Sequence, residues 1–288
     1  MTGPVPISST SGTSKAGSTW LFNVLASHPD VFLASSKGLY YFDAHFDRGE
    51  DWYLGHFDGS EDSLSRGEIS HSYLSSPEAP ERIARLNPDV RLLVCLREPV
   101  DRAFSDYLDL RKNQQDEGSF EDALDHHPRL LDRGWYARHL RRYLEVFPRE
   151  QLLVQLFDDL KADPQRYADE VFDFLGVPPL ELPPSELRSR MPAGVPRSRT
   201  AATAAKTASQ TIKRLGLRRL RSRVKRSAKV RQVLYRPYAD DRPTPDADTL
   251  ARLRKGFADE VADLDALLGV PVSRRWNYEN PTQGSVAG

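Results

Sequence analysis

The order of apolar and polar positions predicts strands alternating with helices. Residues 91–96, Arg-Leu-Leu-Val-Cys-Leu, contain a continuous apolar run, the pattern of a strand covered on both faces. Residues 151–157 (Gln-Leu-Leu-Val-Gln-Leu-Phe) read as a second strand and residues 30–35 as a shorter one. Glu68-Ile69-Ser70 predicts a weaker strand after Gly67. Helical spacing occupies the intervals. Between Ser18 and Ser27, Trp20, Leu21, Val24 and Leu25 fall on one face; between Val100 and Arg111, Ala103, Tyr107 and Leu110 do the same. A third pattern runs from Trp135 to Phe147 and stops at Pro148. Asp163-Pro164 predicts an N-cap followed by proline in the first turn, and Gly176 the helix end. Strands alternating with helices imply parallel strands joined by right-handed crossovers.

The last third breaks this rhythm. Residues 177–200 are rich in Pro, Ser and Arg and read as a loop. Residues 206–236 hold twelve Lys or Arg and no acid, whereas residues 246–268 predict an acidic amphipathic helix. Its apolar face carries Leu250, Leu253, Phe257, Val261, Leu264 and Leu268. The tail after Trp276 is polar and is expected to be disordered. The expected organisation is one domain over 1–288. Its core spans about 10–180, its basic loop and helices about 190–276, and its tail 277–288.

Composition narrows the function classes. Lys+Arg and Asp+Glu are both 41, so the net charge is +0 and gives no global case for nucleic-acid binding. No apolar run approaches the roughly 20 residues that cross a bilayer. Met1 to Ser14 lacks the basic and apolar regions of a secretory signal. Cys95 is the only cysteine, which excludes a disulfide framework and a cysteine metal site. A cytoplasmic protein is expected. The cations of 206–236 alternate with Leu and Val, a pattern that suits either an anionic membrane surface or packing on the acidic helix. Charge complementarity favours the second.

Two segments carry chemistry. Gly12-Thr13-Ser14-Lys15-Ala16-Gly17-Ser18-Thr19-Trp20 runs directly into a helix. Free N–H groups at the helix start, the Ser18 and Thr19 hydroxyls and the Lys15 cation make an anion cradle. It is not a Walker A loop, because Lys15 precedes Gly17 instead of following a glycine. The bland alternative is a Gly/Ser-rich turn that caps a helix. Arg97 follows the clearest strand, and Ser105 lies on the helix after it. Ligands bind beyond the carboxyl ends of strands in such sheets, and an Arg fork with a hydroxyl suits a phosphate monoester. Arg102 is expected to be structural.

Together, Lys-x-Gly-Ser-Thr and Arg-x-Pro-x-x-Arg-x-x-Ser-x-Tyr resemble the sulfotransferases that use 3′-phosphoadenosine 5′-phosphosulfate (PAPS). Ser27-His28-Pro29-Asp30-Val31, Gly67-Glu68-Ile69-Ser70-His71-Ser72-Tyr73-Leu74, residues 147–154 and residues 174–177 match further landmarks of that family. The likeness extends over residues 10 to 276 and looks closest to bacterial members related to heparan-sulfate sulfotransferases. It implies a P-loop-like three-layer α/β fold, with a central, mostly parallel sheet flanked by helices and a helical C-terminal region. It also implies transfer of a sulfuryl group from PAPS to a hydroxyl or amine of a small molecule, glycan or glycolipid, without a metal and without a nucleic-acid partner. Lys15, Ala16, Gly17, Ser18, Thr19 and Trp20 would hold the 5′-phosphosulfate. Arg97 and Ser105 would hold the 3′-phosphate, with Arg197 and Arg199 closing over it. Lys15 and Lys37 would act on the reacting group.

Two features depart from that family. Relatives carry Lys-Glu-x-x-x-Phe, whose glutamate is the proposed base; here the segment is Lys37-Gly38-Leu39-Tyr40-Tyr41-Phe42. Several readings stand open. His71 supplies the base, on the strand where cytosolic members of the superfamily place a catalytic histidine; Glu68 or Asp43 does so; or the chain binds nucleotide with weak or no catalysis. The first strand is also poor in apolar residues, with only Val5 and Ile7, and is expected to be short. Tyr40, Tyr41, Phe42, Trp52, Tyr53 and Tyr73 form either a stacking platform for an acceptor or part of the core.

Overall fold

The computed structural model describes residues 7–9, 15–34, 37–113, 115–187, 194–196, 235–237 and 242–279. In chain order the elements are β1 (Ile7–Ser9), α1 (Ser18–Ser27), β2 (Val31–Leu33), α2 (Glu50–Leu54), β3 (Ser65–Ile69), α3 (Ala79–Leu86), β4 (Leu92–Leu96) and α4 (Pro99–Lys112). Then come α5 (Phe120–His126), α6 (Arg129–Asp132), α7 (Tyr136–Leu144), β5 (Leu152–Leu156), α8 (Phe157–Ala162), α9 (Pro164–Leu175) and α10 (Pro184–Leu187). A short antiparallel pair, β6 (Gly194–Pro196) and β7 (Tyr235–Pro237), precedes α11 (Ala247–Leu268) and α12 (Val272–Arg275).

The main strands are parallel. β3 lies between β1 and β2, with Ile7 opposite Gly67 and Leu33 also opposite Gly67. β4 pairs with β5, Leu92 opposite Leu152 and Leu96 opposite Leu156. β1 runs beside β4 with Cα atoms within 8 Å, so the strands follow one another in space as β2–β3–β1–β4–β5. The polar first strand is short, as expected.

Side-chain alternation on β4 builds the three layers. Leu92, Val94 and Leu96 join one core with Ile83, Val100, Tyr107, Leu140, Tyr143 and Phe257, from α3, α4, α7 and α11. Leu93 and Cys95 face the other core, with Trp20, Leu21, Val24, Tyr167, Val171 and Phe172 from α1 and α9. Burial pushes the Cys95 thiol up to about 12, so this cysteine is an inert core residue.

Cap chemistry sets the helix ends. Asp163 accepts from Arg166 N–H at 3.0 Å, Pro164 opens α9, and Gly176 ends it. Ser119 and Asp122 form a reciprocal capping box on α5. Asp246 caps α11 through Thr249 N–H. The predicted acidic helix packs its Phe257 against Trp135, ring centroids 4.9 Å apart, and Glu260 accepts from Arg138 N–H at 3.0 Å. Residues 206–234, which hold most of the basic run, lie outside the described residues. The expected tail at 277 needs correction for its first residues. Tyr278 packs on the core and donates to Glu98 Oε1 at 2.6 Å, so ordered structure extends through it.

Candidate functional site

Among the described residues, Lys15 to Trp20, Lys37, His71 and Arg97 follow β1, β2, β3 and β4, beyond the carboxyl ends of these strands. Gly17 caps α1 with φ +86, a left-handed conformation. A second cause favours glycine there: an added Cβ would stand 2.6 Å from Leu160 Cδ2 and 3.3 Å from Phe157. The loop is thus seated on α8. Ala16 is fully buried in that core, and the Trp20 indole packs edge-on against Tyr167 and donates to Glu186 O at 2.9 Å. Both side chains are structural, leaving their backbone to the cradle. The first intrahelical bond runs from Leu21 N–H to Gly17 O, so the N–H groups of Ser18, Thr19 and Trp20 have no intrahelical acceptor.

Two lysines meet this loop. Lys37 Nζ donates to Ser18 Oγ at 2.6 Å and to Thr19 Oγ1 at 3.0 Å. Burial, then the nearby Lys15 cation, lowers its ammonium to about 8. Lys15 itself is left-handed, φ 78, and its Nζ pairs with Asp109 Oδ1 at 2.7 Å. Arg97 Nη1 donates to Lys15 O at 3.3 Å, which ties the end of β4 to the loop. The Arg97 guanidinium lies 5.3 Å from the Phe157 ring centre, and its buried Nε has no partner. Tyr136 fixes the Arg97 backbone by donating to its carbonyl at 2.7 Å. Ser105 sits one helical turn before Asp109 and therefore shares its face of α4. Arg197 and Arg199 lie outside the described residues. The strand just before them, β6, passes α4 with Cα atoms within 8 Å.

The turn after β2 is held by Glu68, only 1% exposed. Its Oε2 accepts from Ser70 Oγ at 2.5 Å and Leu39 N–H at 3.3 Å, while its Oε1 accepts from Tyr73. Tyr73 Oη in turn accepts from Tyr41 N–H at 2.8 Å. Desolvation raises the Glu68 carboxyl to about 7, against the hydrogen bonds that lower it. Asp43 accepts from Ser72 and Ala44 N–H. Glu68 and Asp43 therefore hold the turns that carry Lys37 and His71. His71 meets Tyr40, whose Oη lies 2.9 Å from His71 Nδ1. Burial, followed by the cations Arg133 and Lys37, lowers the imidazole to about 4.

Of the six aromatics near this turn, Tyr41, Phe42, Tyr53 and Tyr73 are core; Tyr40 and Trp52 are half-buried. Sequence reasoning missed Asp109, Asp106 and Arg133. Asp106 joins Arg133 at 3.2 Å to Arg102 at 3.6 Å. Arg102 is fully buried and also donates to Leu130 O, as expected of a structural residue. The spacing of Ser105 to Asp109 was the one available signal for an acid on this face. Among the described residues no group of three or more His, Cys, Asp or Glu is placed to hold a metal ion, and no helix is long and apolar enough to cross a membrane.

A parallel sheet with a left-handed loop, two lysines and an arginine beyond its strand ends defines a P-loop-like α/β fold. The family follows: residues 9–215 match the sulfotransferase domain, and the chain belongs to that family. Heparan sulfate glucosamine 3-O-sulfotransferase 3B1 of Homo sapiens is 33% identical over 175 residues, 58% of this chain and 45% of that one. Bifunctional heparan sulfate N-deacetylase/N-sulfotransferase 3 of Homo sapiens is 34% identical over 192 residues, 58% of this chain and 22% of the relative. The chain spans about half the length of the 3-O-sulfotransferases it matches. The crystal structure of a sulfotransferase from Alicyclobacillus acidocaldarius superposes with a TM-score of 0.67 at 25% identity, over 95% of this chain and 99% of the other.

Proposed function

We propose that the chain transfers a sulfuryl group from PAPS to a hydroxyl or amine, with a glycan as the leading acceptor class and a small molecule or glycolipid as the others. The observation that carries the reading is the convergence of Lys15, Lys37, Ser18 and Thr19 on one helix N-terminus, with Arg97 bonded to the same loop. The residues fit an anionic nucleotide. Arg97 keeps a buried, unpartnered Nε, and the loop offers hydroxyls, N–H groups and two cations. The glycan preference is supported by the relatives' names.

In this reading the backbone N–H groups from Ser18 to Trp20 and the Ser18 and Thr19 hydroxyls bind the 5′-phosphate. Lys15 neutralises the charge that grows on the leaving phosphate, and Lys37 holds the hydroxyls and faces the sulfuryl oxygens. Arg97 and Ser105 bind the 3′-phosphate, with Arg197 and Arg199 covering it. The donor itself supplies the activated sulfuryl group. His71 is the leading base. A nucleotide-binding protein with weak catalysis is the second reading, favoured by Gly38, where the family's glutamate is missing.

Calorimetry with 3′-phosphoadenosine 5′-phosphate (PAP) and with ADP tests the donor. The wild type is expected to prefer PAP, and Arg97→Ala to erase the preference. Equal wild-type affinities overturn the assignment. Turnover of PAPS then separates the enzyme from the weakly catalytic alternative.

A further inference from the structure

At position 38 the chain has no side chain, and the ring of Tyr40 fills the space one would take. An ideal Cβ on Gly38 stands 2.6 Å from Tyr40 Cε2, 2.7 Å from Cζ and 2.9 Å from Oη. Tyr40 has φ 53, a left-handed conformation that a bulky residue rarely adopts. It is held from both sides. Tyr40 N–H donates to Ser70 Oγ at 3.0 Å, and His45 N–H donates to Tyr40 O at 2.9 Å. Backbone strain persists only where its surroundings over-determine it, and it concentrates at functional sites. Here it sets the phenol edge-on to His71, ring centres 5.2 Å apart and planes at 90°, with Oη 2.9 Å from Nδ1.

We infer that Tyr40 and His71 form the proton-accepting couple of the transfer reaction, with Tyr40 Oη meeting the acceptor where the end of a side chain at 38 would otherwise stand. The inference rests on the donor reading above. As the acceptor oxygen or nitrogen bonds to sulfur, the sulfur–oxygen bond to the leaving phosphate breaks, and that phosphate keeps the electron pair. The acceptor's proton passes to Tyr40 Oη, and the phenol's own proton passes to His71 Nδ1. The imidazolium later releases it to water.

The surroundings suit this order of events. Lys15, Lys37, Arg133 and Asp106 act on His71, while Arg133, Asp43 and Glu68 act on Tyr40. Burial raises the phenol to about 12, and burial with the cations lowers the imidazole to about 4, so both are neutral near pH 7 in the free chain. An anion against Lys15 and Lys37 offsets two of those cations and raises the imidazole's proton affinity. Base strength would thus rise when donor is bound.

The test uses the full chain, PAPS and O-desulfated heparan sulfate, with water as the default acceptor, and PAP release as the readout. Tyr40→Phe keeps the ring that fills the space at 38. It is expected to lower turnover by roughly 10²-fold, with PAP affinity and melting temperature unchanged. His71→Ala is expected to cost a similar factor, and the double variant no more than either single one, because the two act as a unit. In the ligand-free chain, ring-15N spectra should show His71 Nδ1 bare and Nε2 protonated. Turnover of Tyr40→Phe within twofold of wild type, multiplicative losses in the double variant, or an Nδ1-protonated tautomer each overturns the couple. A wild type that neither binds PAP nor releases it from PAPS instead defeats the donor reading, and the couple with it.

Discussion

Glu68→Gln separates the electrostatic cost of the buried turn from its hydrogen bonding. Burial raises the Glu68 carboxyl from 4.5 to about 7. The folded chain therefore keeps this proton to near pH 7, whereas the unfolded chain loses it near pH 4.5. A group whose folded value is raised contributes stability that is fully present below the unfolded value and is lost as pH climbs through the folded one. The interval corresponds to about 3 kcal/mol in full, most of it lost between about pH 5 and pH 8. Glutamine has no proton to lose. It does impose a fixed cost, because its amide N–H₂ replaces an oxygen that accepts from Tyr73 or from Ser70 and Leu39. That cost is the same at both pH values and cancels in a difference. Urea unfolding of both proteins should show the wild type losing about 2–3 kcal/mol relative to Glu68→Gln on going from about pH 5 to pH 8. A pH-independent difference between the two would refute the reasoning and place the carboxyl near its ordinary value.

Gly38→Glu, the substitution that restores the relatives' glutamate, should destabilise the fold by about 1–3 kcal/mol and fail to raise turnover. Its Cβ meets the Tyr40 ring, and its φ is +79; thermal melts and PAP release measure the two effects. Asp109→Asn should tighten PAP binding by up to about fivefold, the scale of a half-exposed ion pair of about 1 kcal/mol. The reason is that Asp109 competes for Lys15, and calorimetry at low and high salt checks both size and screening.

The sequence reveals elements whose signal is local. α9 announces itself through Asp163, Pro164 and Gly176, each acting within a few residues, and the structure uses all three as expected. β4 is equally plain because both its faces are covered. β3 runs from Ser65 to Ile69 and begins earlier than expected. Its Glu68 is a buried polar residue that accepts from Ser70, Leu39 and Tyr73, so apolar alternation fails where hydrogen bonds satisfy the interior. The same division holds in the site. Lys15, Ser18 and Thr19 share one short motif, and Lys37 and Arg97 follow recognisable segments. Asp109, Arg133 and the role of Tyr40 depend on contacts across space. Nothing in Leu39-Tyr40-Tyr41 tells which tyrosine turns left-handed; Ser70, His45 and the void at Gly38 decide it.

The Tyr278 contact has a consequence for the order in which a nascent chain matures. Glu98 caps α4 through Asp101 N–H, and its other oxygen awaits Tyr278, 180 residues later. Synthesis delivers that partner among the last of the described residues. Until then the carboxylate at the head of α4, the helix that carries Ser105 and Asp109, stands against water or an incomplete neighbour. The sheet and the Lys15 loop are available early, but α4 reaches its final environment only after residue 278 has cleared the ribosome. A ribosome-arrested chain ending before α12 should therefore bind PAP more weakly than the released protein, although every predicted nucleotide contact has already been translated.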